Sequence, residues 1–407
     1  MTPRRNLVLA IAVAILGYVG MLWFDPPVTA PWPPGTIWAP GPGVAPTPRP
    51  SADRDGQEAL LAAIRAQTRY EDFLFGFAEV VGTGVGWTTG GTMALKVFVE
   101  PGGTPSLPAT LDGFPLVIKE AGPFYALGTV PPGFFQESAA PAMAQESGQE
   151  SAVAQESYGT GLRAAGRPAD ASVRLPTSRF ERPVPMGVST GHTGSTAGTI
   201  GAVVTDGALR YALSNWHVYV PAGVGKVGDS LLQPGPYDGG AAPADVIGTL
   251  AAFEPVVLSM FANNRIDAAL ALTDQVAPHT PPDGYGSPRS ETMEARPGLE
   301  VKKYGRTTGF TFGTVDAINA SINVNYGSSG KVGRFVGQIM ICCSVSAGGD
   351  SGSLIVAHDV DRNGDPGPND RRPVALLFAG DATNTIANPI DLVLDRFGVT
   401  IVGDEER

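Results

Sequence analysis

The chain has 407 residues, 43% of them hydrophobic, enough for a sizeable core and incompatible with a disordered protein. Its formal net charge is −11, and an acidic surface is repelled by phosphate backbones, which argues against nucleic acid as a partner. The 53 glycines and 37 prolines are more than a helical bundle tolerates, and they favour short strands joined by tight turns.

Arg4 and Arg5 precede an uncharged, mostly apolar run from Leu7 to Phe24. A positive region followed by a hydrophobic one marks an export signal. The run is also just long enough to span a bilayer at about 1.5 Å per residue. Val28-Thr29-Ala30 offers a small-residue cleavage site, but Pro31 follows it and should hinder cleavage. Residues 1–25 are therefore expected to be a signal anchor or a cleaved signal peptide. Both export the rest of the chain, and the first adds a membrane tether. Residues 26–56 follow as a proline-rich spacer, extended and without a core of its own.

From Gln57 the pattern predicts an amphipathic helix, with Leu60, Leu61, Ile64 and Phe73 near helical spacing. Strand-like runs come next: EVVGTGVGW, MALKVFVEP and FPLVIKEAG. GTGVG (82–86) leads into a hairpin turn and not a helix, so it reads as a tight strand pair instead of a phosphate loop. Residues 57–135 are expected to form a small α+β domain. Residues 136–178 repeat QES among Ala, Gly and Ser, and are expected to be a low-complexity linker open to proteolytic nicking.

From 179 to 403 the text is strand-turn-strand, as in TIGAVVTD, LRYALSNWHV, DAALAL and RRPVALLFAGD. Regularly spaced short strands predict one large β unit or two packed barrels, divided by the turn-rich stretch 278–297 into about 179–280 and 298–403. The two cysteines, Cys342 and Cys343, are adjacent. A ring between neighbours is far from ordinary disulfide geometry, so they are expected to be thiols on opposite faces of one strand.

Four histidines are candidates for a base: His192, His217, His279 and His358. His192 and His279 sit in turn-rich text, and His358 borders an acidic loop. His217 ends the apolar run LRYALSN, on rigid structure at the lip of a sheet. Ser351 lies in GGDSGS, where flanking glycines allow a sharp turn that exposes the hydroxyl and aligns N–H groups. Such donors, from Gly349 and Ser351, would stabilise an oxyanion. An imidazole that takes the serine proton needs an orienting acid. Asp267, opening the strand DAALAL, is the leading candidate; Asp245 and Asp238 compete with it.

The order His217, Asp267, Ser351 resembles the chymotrypsin-like serine proteases. RPVPMGVSTG, LSNWHV, LLQPGPYDGG, YGRTTGFTFGTV, GDSGSL and LLFAG are similar to the branch that holds plant narrow-leaf-type proteases and bacterial relatives. The likeness covers about 180–402 and extends weakly to GVG (84–86) and LDGFPLVIKEAG (111–122). It implies a mainly β fold of two packed antiparallel barrels, here preceded by the small α+β domain, with the site between the barrels. It further implies that Ser351 is the nucleophile, His217 the base, Asp267 its orienting acid, and Gly349 and Ser351 the oxyanion hole. No cofactor is expected. In zymogen-activated members of the wider fold the residue at Asp350 pairs with a newly cut N-terminus, an activation not assumed here, where a long linker precedes the barrels. Trp216 departs from the pattern, because relatives carry a small or polar residue there, and its ring is expected to narrow the cleft beside His217.

The sequence is compatible with three functions: an exported endopeptidase acting on peptides or proteins, a non-catalytic binding module on the same barrels, and an esterase. Val345 and LFAGD (377–381) are expected to wall the specificity pocket, leaning to a small or apolar residue. DVDRNGDPGPND (359–370) has the spacing of a calcium loop, with Asp359, Asp361, Asn363, Asp365 and Asp370, and also reads as a solvated hairpin loop.

Overall fold

The computed structural model describes residues 52–128, 174–194, 197–327 and 331–404. The expected signal segment, nearly all of the proline spacer and most of the QES linker lie outside the described residues. Among the described residues, no helix is long and apolar enough to cross a membrane. The described residues form one compact unit.

The fold is mainly β, as expected. One eight-stranded sheet runs, in spatial order, through Thr400–Ile401, Ala202–Thr205, Arg210–Ser214, Ala269–Leu272, Val246–Phe253, Ser230–Leu232, Ser189–His192 and Gly198–Thr199. Its last member comes back beside its second because Gly198–Thr199 and Ala202–Thr205 are one stretch broken at Ile200-Gly201, and Ile200 N–H donates to Val188 O at 3.0 Å. The strand Thr400–Ile401 belongs to this sheet although it comes from the chain's far end.

The second group closes into a ring. Glu300–Gly305, Leu354–Ala357, Pro373–Gly380, Asn384–Pro389, Lys331–Cys342 and Gly309–Tyr326 pair in that order, and the last pairs back to the first. Phe335 and Phe378, both fully buried, pack against each other with ring centroids 4.7 Å apart. Offset aromatic pairs of this kind add to plain area burial.

The N-terminal strands extend that ring's sheet. Val80–Trp87 pairs antiparallel with Gly309–Tyr326, and Met93–Val99 and Phe114–Glu120 follow outward. The helix Ala52–Leu74 covers this extension. Its buried side chains are Ala63, Ala66, Gln67 and Leu74, while Leu61 and Phe73 are exposed. The apolar stripe read from the sequence was thus wrong at two of its four residues. The reason is that small alanines, which carry little hydrophobic signal, allow close approach to the strands. Gln67 is tolerated in the interface because its amide donates to Thr83 Oγ1 at 2.9 Å and to Asn319 O at 3.1 Å.

The cysteine expectation is also corrected. Cys342 and Cys343 are bonded to each other. Cys342 ends its strand, and Cys343 turns to a φ of 89°, so the backbone no longer alternates the two side chains across the sheet.

Candidate active site

Register explains why the acid meets the base. Arg210–Ser214 and Ala269–Leu272 are antiparallel, with Ser214 opposite Ala269. Continuing two residues past that pair sets Asp267 opposite Trp216, beside His217 in the helical turn Trp216–Tyr219. His217 Nδ1 lies 2.8 Å from Asp267 Oδ2, and both groups are buried. A carboxylate only accepts, so Nδ1 carries the hydrogen and Nε2 is left as an acceptor. Ser351 Oγ sits 2.8 Å from that Nε2 and 3.2 Å from Phe378 O. Its single hydroxyl hydrogen goes to the shorter contact. The structure therefore brings together all three residues picked from the sequence.

The competing acids are engaged elsewhere. Asp245 is gripped by Arg179 at 2.5 and 2.7 Å, and that hydrogen-bonded pairing holds its carboxyl below the ordinary value. Asp238 takes a two-pronged contact from Arg306 at 2.9 and 2.6 Å. His192 faces Asp229 at 3.0 Å, His279 contacts the Thr280 carbonyl at 3.0 Å, and His358 packs edge-on against Phe312.

Asp267 is held more tightly than sequence reasoning foresaw. Tyr326 donates its hydroxyl to Asp267 Oδ2 at 2.6 Å, and His217 N–H donates to Oδ1 at 3.3 Å. Asn215 and Asn388 amides donate to its main-chain carbonyl at 2.7 and 3.2 Å. Burial, and then the neighbouring carboxylate, push the Tyr326 phenol well above its ordinary value. It therefore stays protonated, and a donor, beyond the pH at which an ordinary phenol ionises. A folded-state value above the unfolded one stabilises the fold below about pH 10, and this stabilisation is lost as pH rises further. No local motif pointed to Tyr326, because it reaches Asp267 across 59 residues from another strand. Tyr326→Phe should lower kcat by about 10- to 100-fold with KM little changed, the loss of one hydrogen bond to a buried carboxylate. Steady-state kinetics on a peptide substrate would check the split.

The serine loop is fixed by contacts only glycines permit. Gly349 and Gly352 have φ of 98° and 95°. A Cβ on Gly352 would stand 2.3 Å from both Ser214 Oγ and Thr199 O. Thr199 clamps the loop, its N–H donating to Ser351 O at 2.7 Å and its hydroxyl to Gly349 O at 2.9 Å. Gly349 N–H, one of the two expected oxyanion donors, points at Leu127 O, 2.8 Å away.

Asp350 points away from the cleft into a polar pocket that the sequence did not reveal. Its carboxylate accepts from Thr307 N–H, Thr308 Oγ1 and Ala347 N–H at 2.8, 2.7 and 3.0 Å, and faces Lys303 Nζ at 3.4 Å. Burial pushes the Lys303 ammonium below its ordinary value, and Asp350 opposes that push. Asp350→Ala would strand a buried ammonium and should cost about 3–5 kcal/mol in denaturant unfolding, whereas Asp350→Ala with Lys303→Met should recover much of it.

Trp216 does not narrow the cleft. It is buried in the core, its ring edge-on to Tyr326 with centroids 6.1 Å apart. In the 359–370 loop, the Asp370 carboxylate is taken by Lys302 Nζ at 2.7 and 3.0 Å. Asp361 instead accepts the backbone N–H groups of Asn363 and Asp365.

No family model matches the sequence. The chain is similar to Glutamyl endopeptidase 2 of Streptomyces griseus, at 33% identity over 112 residues, which are 28% of this chain and 52% of that protein. It thus spans about half the length of this curated relative. Among solved structures, Thermobifida fusca protease A is similar at 20% identity and a TM-score of 0.37, over 54% of this chain and 99% of that one. A glutamic acid-specific serine protease, described as using a histidine triad in substrate binding, is similar at 23% identity and a TM-score of 0.37, over 54% and 100%.

The geometry has a definite chemical capacity. A hydroxyl, an imidazole and a buried carboxylate lie in line, with a backbone N–H aimed at a carbonyl oxygen beside them. That set can activate an oxygen nucleophile, shuttle one proton and stabilise negative charge on an attacked carbonyl.

Proposed function

We propose that the chain is an exported serine endopeptidase of the chymotrypsin-like kind. The observation that carries this reading is the buried relay from Ser351 Oγ through His217 to Asp267, each step 2.8 Å long. His217 Nε2 takes the Ser351 proton as Oγ attacks the substrate carbonyl, and later gives it to the leaving amine. Asp267, oriented by Tyr326 and by the amides around it, keeps the imidazole in the tautomer that can do this. The Gly349 and Ser351 N–H groups receive the developing oxyanion.

A peptide is favoured over a simple ester because the edge of Pro373–Gly380 beside Ser351 holds an extended main chain, that of Tyr125–Leu127, by backbone pairing. The similarity to an endopeptidase supports the same choice. Export rests on Arg4, Arg5 and the apolar run after them. The same run is the proposed membrane tether where it is not cleaved.

A fluorophosphonate probe tests the reading. We expect the wild-type chain to be labelled and Ser351→Ala to stay unlabelled; a variant that still takes label removes the nucleophile. Hydrolysis of casein then separates the endopeptidase from both the esterase and the non-catalytic binding module.

A further inference from the structure

Residues 124–128 lie in the candidate cleft as a substrate would. Tyr125 pairs with Gly380 and Ala126 with Ala379, antiparallel, so a short strand of this chain adds to the edge of Pro373–Gly380. Leu127 continues the ladder, its N–H donating to Phe378 O at 3.2 Å. Its carbonyl oxygen then accepts from Gly349 N–H at 2.8 Å. One residue is thus held by the edge strand on its amide side and by an expected oxyanion donor on its carbonyl side. Gly128 follows directly against the base: a Cβ there would stand 2.9 Å from Cδ2 and 3.1 Å from Nε2 of His217. Only a residue without a side chain fits that approach unshifted. The peptide bond between Leu127 and Gly128 is thus flanked by an expected oxyanion donor and by the imidazole whose Nε2 holds Ser351 Oγ at 2.8 Å.

The Leu127 side chain shows what the neighbouring pocket accepts. It is 2% exposed and belongs to one apolar cluster with Val345, Val315, Ile341 and Leu377. A carboxylate placed there would lose its water among aliphatic groups.

Resting on the peptidase reading above, we propose that the primary pocket selects a leucine-sized apolar side chain and that the chain's own Leu127–Gly128 bond is its first substrate. Ser351 Oγ adds to the Leu127 carbonyl carbon while its proton passes to His217 Nε2. The bond from that carbon to Gly128 N breaks, and His217 returns the proton to the departing amine. Water then hydrolyses the Leu127 ester, leaving a Leu127 carboxylate, a new amino terminus at Gly128 and free Ser351. The assignment departs from the glutamate named for the Streptomyces relative.

The test follows the purified full chain by intact mass and N-terminal sequencing, with fluorophosphonate labelling in parallel. We expect an N-terminus at Gly128, formed at a rate independent of protein concentration, and none in Ser351→Ala. Leu127→Glu should slow the cut by at least about 100-fold. If that variant shows no cooperative melt, Leu127→Ala is read instead, with a slowing of about tenfold. A chain that labels at Ser351 but keeps the Leu127–Gly128 bond overturns the proposal, and so does faster cutting of Leu127→Glu. A chain that never labels and never hydrolyses casein brings down the peptidase reading, and this proposal with it.

Discussion

Ser351→Ala is expected to lower kcat/KM toward a peptide substrate by about a million-fold, with no loss of folding stability. The size follows from the relay acting as a unit. His217 Nε2 has Ser351 Oγ as its hydrogen-bonded partner, so removing the hydroxyl leaves the base with nothing to activate. Residual turnover would come from the Gly349 donor and from binding alone, which these sites retain at about a thousand-fold over water. Alanine fits the space and loses one hydroxyl whose other contact, to Phe378 O, is long at 3.2 Å. Denaturant unfolding should therefore overlay the wild type. A peptide assay retaining more than about a hundredth of wild-type turnover would move the nucleophile elsewhere.

Asp267→Asn should cost about ten-thousand-fold in kcat. The carboxylate faces three donors: His217 Nδ1, Tyr326 hydroxyl and His217 N–H. An amide has one oxygen to answer them. With its nitrogen toward Tyr326 and Nδ1, it forces the imidazole into the tautomer that carries hydrogen on Nε2, which cannot accept from Ser351. With its oxygen there, the nitrogen meets His217 N–H donor to donor. Both orientations leave a buried donor unanswered, so a modest loss of stability, about 1–3 kcal/mol, should accompany the kinetic defect. Kinetics together with thermal unfolding would check the pair of effects. A variant that keeps wild-type kcat would remove Asp267 from the relay.

Local text made the nucleophile and the base legible. Glycines on both sides of Ser351 announce a strained turn, and His217 follows an apolar alternating strand. Asp267 was harder, since the chain offers 39 acidic residues: opening DAALAL made it the leading candidate, and strand register is what sets it beside His217. Tyr326 and Lys303 were invisible for the same physical reason. Their partners come from segments brought together by the barrel, and no spacing in the sequence records that meeting. Trp216 misled because a large ring next to a histidine in sequence need not share its direction: the short helical turn sends it into the core. The helix Ala52–Leu74 misled in a related way, because the middle of its contact face is carried by Ala63, Ala66 and Gln67, while Leu61 and Phe73 stay exposed. Cys342 and Cys343 were read as an ordinary strand, and the positive φ that joins them has no sequence signal in a non-glycine residue.

The strand Gly309–Tyr326 is 18 residues long, and its flank beyond the ring is covered by Val80–Trp87. Without that cover, several backbone donors and acceptors on a flank rich in Val, Ile and Ala would face solvent unpaired. Exposed edges of this kind template intermolecular pairing. A version beginning at Arg174 would therefore be a poor choice for crystallisation or storage, since it should precipitate or form higher-order aggregates at concentrations where the longer chain stays dispersed. Supplying residues 50–128 as a separate polypeptide should restore dispersion by re-covering the flank, a clearing that light scattering would follow directly.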